Sequence, residues 1–320
     1  MAKMNMVEAV NSALTLEMER DDNVVILGED VGTDGGVFRV SAGLLEKFGK
    51  ERVIDTPLAE LGIVGTAIGM SLYGLKPVAE IQFMAFIYEA IEQVYSHAAR
   101  MRARSRGRFT CPLVIRAPYG VGIKGPELHS DSPEAIFCHM PGVKVVIPSN
   151  PYNAKGLLIS AIRDPDPVLF LEPSRLYRSI KAEVPEEGYT IELGRADVFQ
   201  EGSDLTIVSW GAMLHRASEA AEGLNAEIID LQTIKPLDED LILSSVKKTG
   251  RLVIVHEATG FCGVAAEIAA LAADKALMHL KAPVKRVTAP DAVTPMALLE
   301  DHYMPSVELI KKAYDEVLSY

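Results

Sequence analysis

Apolar positions along this chain fall into two recurring patterns. Short, nearly continuous β-branched runs at 24–27, 78–83, 112–116, 143–147 and 168–171 read as strands. Runs of that kind suit a parallel sheet covered on both faces. Between them, residues 6–20, 60–72, 86–104 and 152–162 repeat apolar side chains at helical spacing. Asn5 followed by Glu8 predicts a capping box at the first helix start. A second series has strands at 204–209, 227–231, 252–256 and 284–287 and helices at 212–223, 238–246, 263–273 and 307–318. The polar stretch from Glu183 to Gly194, with Pro185 and Gly188, separates the two series. The pattern predicts an α/β protein of two three-layer α/β/α domains, residues 1–183 and 201–320, with a linker at 184–200.

Composition narrows the function classes. An apolar fraction of 48% in 320 residues can fill two such cores. Lys and Arg number 32 against 44 Asp and Glu, and 32 − 44 = −12 disfavours nucleic acid or an anionic membrane as partner. No segment approaches the roughly 18 apolar residues of a membrane helix. Glu8 and Asn11 interrupt any leader-like start, so a cytoplasmic protein, or one of an organelle's interior after processing, is expected. Cys111, Cys138 and Cys262 are widely spaced and form no C-x-x-C pair, which points to reduced thiols rather than zinc.

The sharpest local feature follows the strand that ends at Ile54. Pro57 stops that strand, and a Gly- and Ala-rich apolar helix begins at Glu60. A carboxyl followed by Leu61, Ile63 and Val64 is costly unless it holds a proton or meets a fixed donor. Two readings stay open from the residues alone. One is an acid that exchanges protons with a cofactor; the other is a helix-start glutamate favoured by the dipole. Gly62, Gly65 and Gly69 share one face of the same helix, which implies close approach of another backbone. A second helix across a subunit interface explains that face most economically, and a tight contact within the domain is the alternative.

Other candidates are weaker. His129 lies in a loop between predicted strands, with Glu127, Ser130 and Asp131 able to fix its tautomer. A lone loop histidine is also often just solvated. The arginines at 100, 102, 104, 106 and 108 read as solvated charge at a helix end. No P-loop, G-x-G-x-x-G fingerprint, H-E-x-x-H or G-x-S-x-G elbow is present, which removes ATP hydrolysis, hydride transfer and simple ester hydrolysis.

Several motifs together resemble a known family. Leu27-Gly-Glu-Asp-Val-Gly, Gly35-Gly-Val-Phe-Arg, Asp55-Thr-Pro-Leu-Ala-Glu-Leu-Gly, Ala79-Glu-Ile-Gln-Phe and His129-Ser-Asp-Ser occur in order. Pro141-Gly-Val-Lys-Val-Val-Ile-Pro-Ser, Ala154-Lys-Gly-Leu-Leu, Phe170-Leu-Glu-Pro and Lys248-Thr-Gly-Arg continue the series. They look like the beta subunit of the thiamine-diphosphate-dependent first component of 2-oxo acid dehydrogenase complexes.

The resemblance implies a pyrimidine-binding domain followed by a transketolase C-terminal domain. Glu60 would hydrogen-bond the aminopyrimidine ring of thiamine diphosphate and drive its change of tautomer. Phe86 would pack on that ring, with Gln82 and Leu58 lining the same site. His129 would stand at the pocket mouth and serve decarboxylation and acylation of the lipoyl group. A potassium site would draw on Leu113, Ala161, Ile162, Asp164 and Asp166, although Asp166 stands where Asn is common. The chain lacks the Gly-Asp-Gly motif that holds the diphosphate through magnesium. The resemblance therefore implies an alpha subunit in an α2β2 tetramer, with the lipoyl acyltransferase core docking through its basic subunit-binding domain.

Glu127-Leu-His-Ser-Asp and Ala289-Pro-Asp look like bacterial pyruvate enzymes. Branched-chain 2-oxo acids and acetoin stay open as substrates. A transketolase-type two-carbon transfer and a non-catalytic partner-binding scaffold are the competing classes. The sequence departs from the family at two places. Gln232 replaces an arginine usual there, and Asp291-Ala-Val-Thr-Pro differs from the D-T-P-[FY]-P form common among enzymes for branched substrates.

Overall fold

The computed structural model describes residues 1–320. Two sheets carry the fold. The first has seven strands in the order Thr233–Lys235, Lys144–Val146, Val168–Pro173, Val114–Tyr119, Lys76–Glu80, Val24–Gly28, Val53–Asp55. All its ladders are parallel except that of Thr233–Lys235 on Lys144–Val146. The second has five strands, in the order Lys285–Ala289, Leu252–Thr259, Leu205–Ser209, Ala226–Asp230, Asp197–Gln200, with only the last antiparallel to its neighbour.

Alternation along the strands sorts side chains into two apolar layers. Val114, Phe170, Ile207 and Val253 face one layer with Leu14 and Tyr314, whereas Ile115, Leu169, Val208 and Ile254 face the other with Ile63 and Ile268. Both layers run through both domains. The strands are thus covered on both faces, and only their ends remain for chemistry.

Helix starts follow local chemistry. Met6–Arg20 begins with the capping box: the Glu8 N–H donates to Asn5 Oδ1 at 3.0 Å, and the Asn5 N–H donates to Glu8 Oε2 at 2.7 Å. Pro151–Arg163 starts with Asn150 as cap and Pro at its first position. Glu60–Leu72 runs over the span its spacing predicts.

Four segments differ from the sequence expectation. The run at 78–83 is a strand only to Glu80, which leaves Gln82 beyond the sheet. The single helix expected over 86–104 is instead a 3₁₀ turn Met84–Ala90, a wide π turn Gln93–Ala98 and a short helix Met101–Arg104. In the wide turn the Ala99 N–H reaches back five residues to the Val94 carbonyl at 2.9 Å, and Gly142 lies so close that an added Cβ would collide with the Ala99 carbonyl. Residues 197–200, within the stretch read as linker, form the edge strand of the second sheet. Residues 233–235 leave the second unit to extend the first sheet, a swap that short strand length hid from the sequence.

Candidate active site

The site forms at the C-terminal ends of the first sheet's strands, where parallel α/β sheets leave a crevice. Glu60 opens its helix with its side chain buried at 5% exposure, and no Lys or Arg of the chain pairs with it. Glu29, just past strand Val24–Gly28, is equally buried, and its Oε1 has no hydrogen-bond partner. Burial first, and then the nearby charges of Glu60 and Asp30, push the Glu29 carboxyl up to about 7. The structure thus brings two uncompensated carboxyls together where the sequence singled out one.

The 3₁₀ turn supplies the aromatic wall. Residues i and i+3 eclipse in such a turn, so Phe83 and Phe86 present their rings to the same neighbour. That neighbour is His129. Its ring centroid lies 4.3 Å from Phe83 and 5.1 Å from Phe86, the latter edge-on at 87°. Phe38, from the Gly35–Gly36 turn, packs edge-on against Phe83 at 5.6 Å. His129 Nδ1 lies 2.9 Å from the Glu127 carbonyl, which can only accept. Nδ1 therefore carries the proton, and Nε2 is the free edge.

Beneath this wall the sheet holds a buried ion cluster. Arg116, 1% exposed, donates to Glu172 from Nε at 2.6 Å and from Nη2 at 2.7 Å, and pairs with Glu80 on its other side. Tyr177 donates to Glu172 at 2.7 Å. Gly36, at φ +76°, crosses this cluster where an added Cβ would stand 2.8 Å from Glu80 Oε1.

The other sequence candidates divide. Gln82 and Phe86 are half-buried at the site, while Leu58 is 79% exposed on its open side. The glycine face is also open: Gly69 has no neighbour within 4 Å of a built Cβ, and Gly65 meets only the Gln93 side chain at 3.4 Å. At the proposed potassium positions both acids are already engaged. Asp166 receives a forked pair of bonds from Arg102 at 2.8 and 3.1 Å, and Asp164 is paired with Lys144. The Leu113 and Ala161 carbonyls accept from Val168 and Asp164. Both acids are thus met by cations of the chain itself, while the carbonyls keep a second lone pair.

A cavity of about 1220 Å³ opens between the two domains, bordered by Leu128, Cys138, Ile234, Phe261, Val293 and Tyr303. It touches the His129 loop but not Glu60, Gln82 or Phe86.

The residues present fit the pyrimidine half of thiamine diphosphate. An orphaned buried carboxyl stands beside Glu60, aromatic edges line one wall, and the exposed Leu58 marks an incompletely enclosed cleft. Comparison with known proteins agrees. Residues 2–179 match the family described as transketolase, pyrimidine binding domain, and residues 194–310 match transketolase, C-terminal domain. The chain is 52% identical to the pyruvate dehydrogenase E1 component subunit beta of Bacillus subtilis, with 100% of both chains covered. That of Acholeplasma laidlawii is 51% identical over 97% of this chain and 96% of the relative. The chain belongs to the family of pyruvate dehydrogenase E1 beta subunits.

The expected architecture therefore holds, as does the reading of a thiamine-diphosphate-dependent 2-oxo acid dehydrogenase component. A solved structure described as a split gene transketolase, inactive beta4 tetramer, has the same fold at a TM-score of 0.80. It is 24% identical, with 99% of this chain and 98% of that one covered. No helix of the chain is long and apolar enough to cross a membrane.

Sequence reasoning missed Glu29, Phe38 and Phe83 as members of the site. The available signal was position: each lies just beyond a strand end or in the turn that follows one.

Proposed function

We propose that this chain supplies the pyrimidine-side half of a decarboxylating 2-oxo acid dehydrogenase, acting on pyruvate together with an alpha subunit. The observation that carries the proposal is the buried Glu29 and Glu60 pair without a cation, set beside the Phe83, Phe86 and His129 wall. When bound, thiamine diphosphate supplies the electron sink that decarboxylation of a 2-oxo acid requires. Glu60 hydrogen-bonds a ring nitrogen of the pyrimidine and exchanges a proton there. Glu29 stands beside it as a second buried carboxyl, its own proton held by burial and by the neighbouring charge of Glu60. Phe86 and Gln82 orient the ring, and Leu58 lines the open rim of the cleft. His129, with Nε2 free, exchanges a proton at the substrate side and meets the lipoyl group.

The alpha subunit would bring the magnesium-bound diphosphate half, for which this chain has no Gly-Asp-Gly motif. The open Gly62, Gly65 and Gly69 face would pack on its symmetry mate in an α2β2 tetramer. The net charge of −12 suits a basic docking domain of a lipoyl acyltransferase core.

The test is turnover of pyruvate by the co-expressed alpha complex carrying Glu60→Gln. We expect kcat to fall by about 10²–10⁴-fold with the fold intact, the range for loss of a general acid or base. Unchanged turnover would leave only a partner-binding role for the chain.

A further inference from the structure

The loop that carries His129 is held from the other domain. It leaves the first sheet after Tyr119 and returns before helix Glu134–Cys138. Its own domain holds it at the two ends and at the imidazole: the Gly120 N–H donates to the Asp131 carbonyl at 3.1 Å, Ser174 Oγ donates to the Gly120 carbonyl at 3.0 Å, Tyr88 donates to Asp131 Oδ2 at 3.1 Å, and the His129 ring packs on Phe83 and Phe86. Within the loop Lys124 and Leu128 adopt left-handed backbone at φ +56° and +68°. Non-glycine residues keep that conformation only where surrounding contacts impose it.

One side chain of the second domain grips the loop at three points. Glu300, 1% exposed at the start of the short helix Glu300–Tyr303, lies 170 residues along the chain from Ser130. Its Oε2 accepts the N–H groups of Gly122 and Lys124, each at 3.0 Å, and its Oε1 accepts the Ser130 hydroxyl. The carboxylate therefore grips the loop on both sides of His129. Asp301 adds ion pairs to Lys124 at 3.1 Å and to Arg175 at 3.2 Å. Ser130 is bonded to His129 in the chain, so its anchoring sets the backbone from which the imidazole projects. Release of the loop would move Nε2 while the Phe83 and Phe86 wall stayed in place.

We infer that Glu300 is a positioning residue: through Gly122, Lys124 and Ser130 it fixes the loop that aims His129, and so lets the second domain set the first domain's chemistry. The inference rests on the role proposed for His129. A displacement of about 1 Å at a catalytic group can cost about 10²-fold in rate. A grip that matters only for folding would lower stability without acting through the histidine.

The experiment uses the alpha complex with Glu300→Ala, His129→Ala and the double variant, read as kcat and KM for pyruvate. We expect Glu300→Ala to lower kcat about 100-fold with KM nearly unchanged. Added to His129→Ala it should cost less than about twofold more, since residues acting as one unit are not additive. Amide exchange in 120–131 should rise in Glu300→Ala and stay as in the parent elsewhere. Normal turnover by His129→Ala would defeat the histidine reading and this inference with it. Loss in His129→Ala with full turnover in Glu300→Ala would defeat this inference alone, and so would additive losses. Should Glu300→Ala fail to fold, Ser130→Ala decides. It removes one charge-assisted bond, and a kcat loss of about tenfold that vanishes in the His129→Ala background is expected. An unchanged kcat there overturns the inference.

Discussion

Two groups of buried acids stand a few strands apart at the same edge of the first sheet, and they are solved in opposite ways. Glu80 and Glu172 face each other across Arg116, whose guanidinium serves both, with the Tyr177 hydroxyl completing the cluster. Glu29 and Glu60 have no such cation, and one oxygen of Glu29 meets no donor at all. The first arrangement is closed: each charge is met by a fixed partner, which rigidifies the sheet beneath the site. The second is open, and an open pair of carboxyls can take up or hand over a proton. A fold that places an arginine under one pair and none beside the other separates support from chemistry.

The largest effect should come from breaking the closed cluster. Arg116→Ala leaves two uncompensated carboxylates in the core, a loss of about 3–5 kcal/mol. A thermal melt should show a fall of many degrees. Adding Glu80→Gln and Glu172→Gln to that variant should recover much of it, because the penalty lies in the stranded charges. A marginal change in Arg116→Ala would mean that the two clusters are energetically alike.

The open pair should answer in the opposite sense. Glu29 keeps its proton in the folded chain up to about 7, whereas an unfolded glutamate releases it near about 4.3. Between those values the folded state binds more protons, so the Glu29 contribution to stability falls as pH rises. The cost is fully present above about 7 and absent below about 4. Glu29→Gln should therefore be stabilising at pH 8 relative to pH 5.5, and its melting temperature should decline less over that interval than the parent's. Parallel slopes for the two proteins would remove the basis for calling the pair uncompensated.

This contrast was only partly legible in the sequence. Glu60 was visible because its apolar neighbours are contiguous with it, as the helix from Glu60 was visible from its period. Glu29 sits in a polar-looking Gly28-Glu-Asp, where nothing local marks burial. The seating of Phe83 beside Phe86 depends on a 3₁₀ turn where the period suggested an ordinary helix. Glu300 was silent because its partners lie 170 or more residues away. The same distance problem hid Glu134 and Glu257, contributed by different domains and each pushed by burial up to about 8. Local pattern carries elements and layers; long-range pairing of polar groups leaves almost no trace in it.

A third acid lies between the two extremes and should give the smallest effect. Asp230, at the end of a strand of the second sheet, accepts from Ser149 Oγ at 2.7 Å and Asn153 Nδ2 at 3.2 Å, both in the first domain. It also accepts from the N–H of Gln232 at 3.3 Å, where the family resemblance would place an arginine. Burial pushes its carboxyl up to about 7. Asp230 is thus met by neutral donors but by no cation. Asp230→Asn removes the buried charge at pH 8 and keeps one acceptor oxygen, so loss and gain nearly cancel. We expect a stability change within about 1 kcal/mol at that pH, the scale of a single neutral hydrogen bond. A loss of the size expected for Arg116→Ala would place Asp230 with the closed cluster. It would also show that neutral donors alone can hold a buried carboxylate as firmly as a guanidinium does.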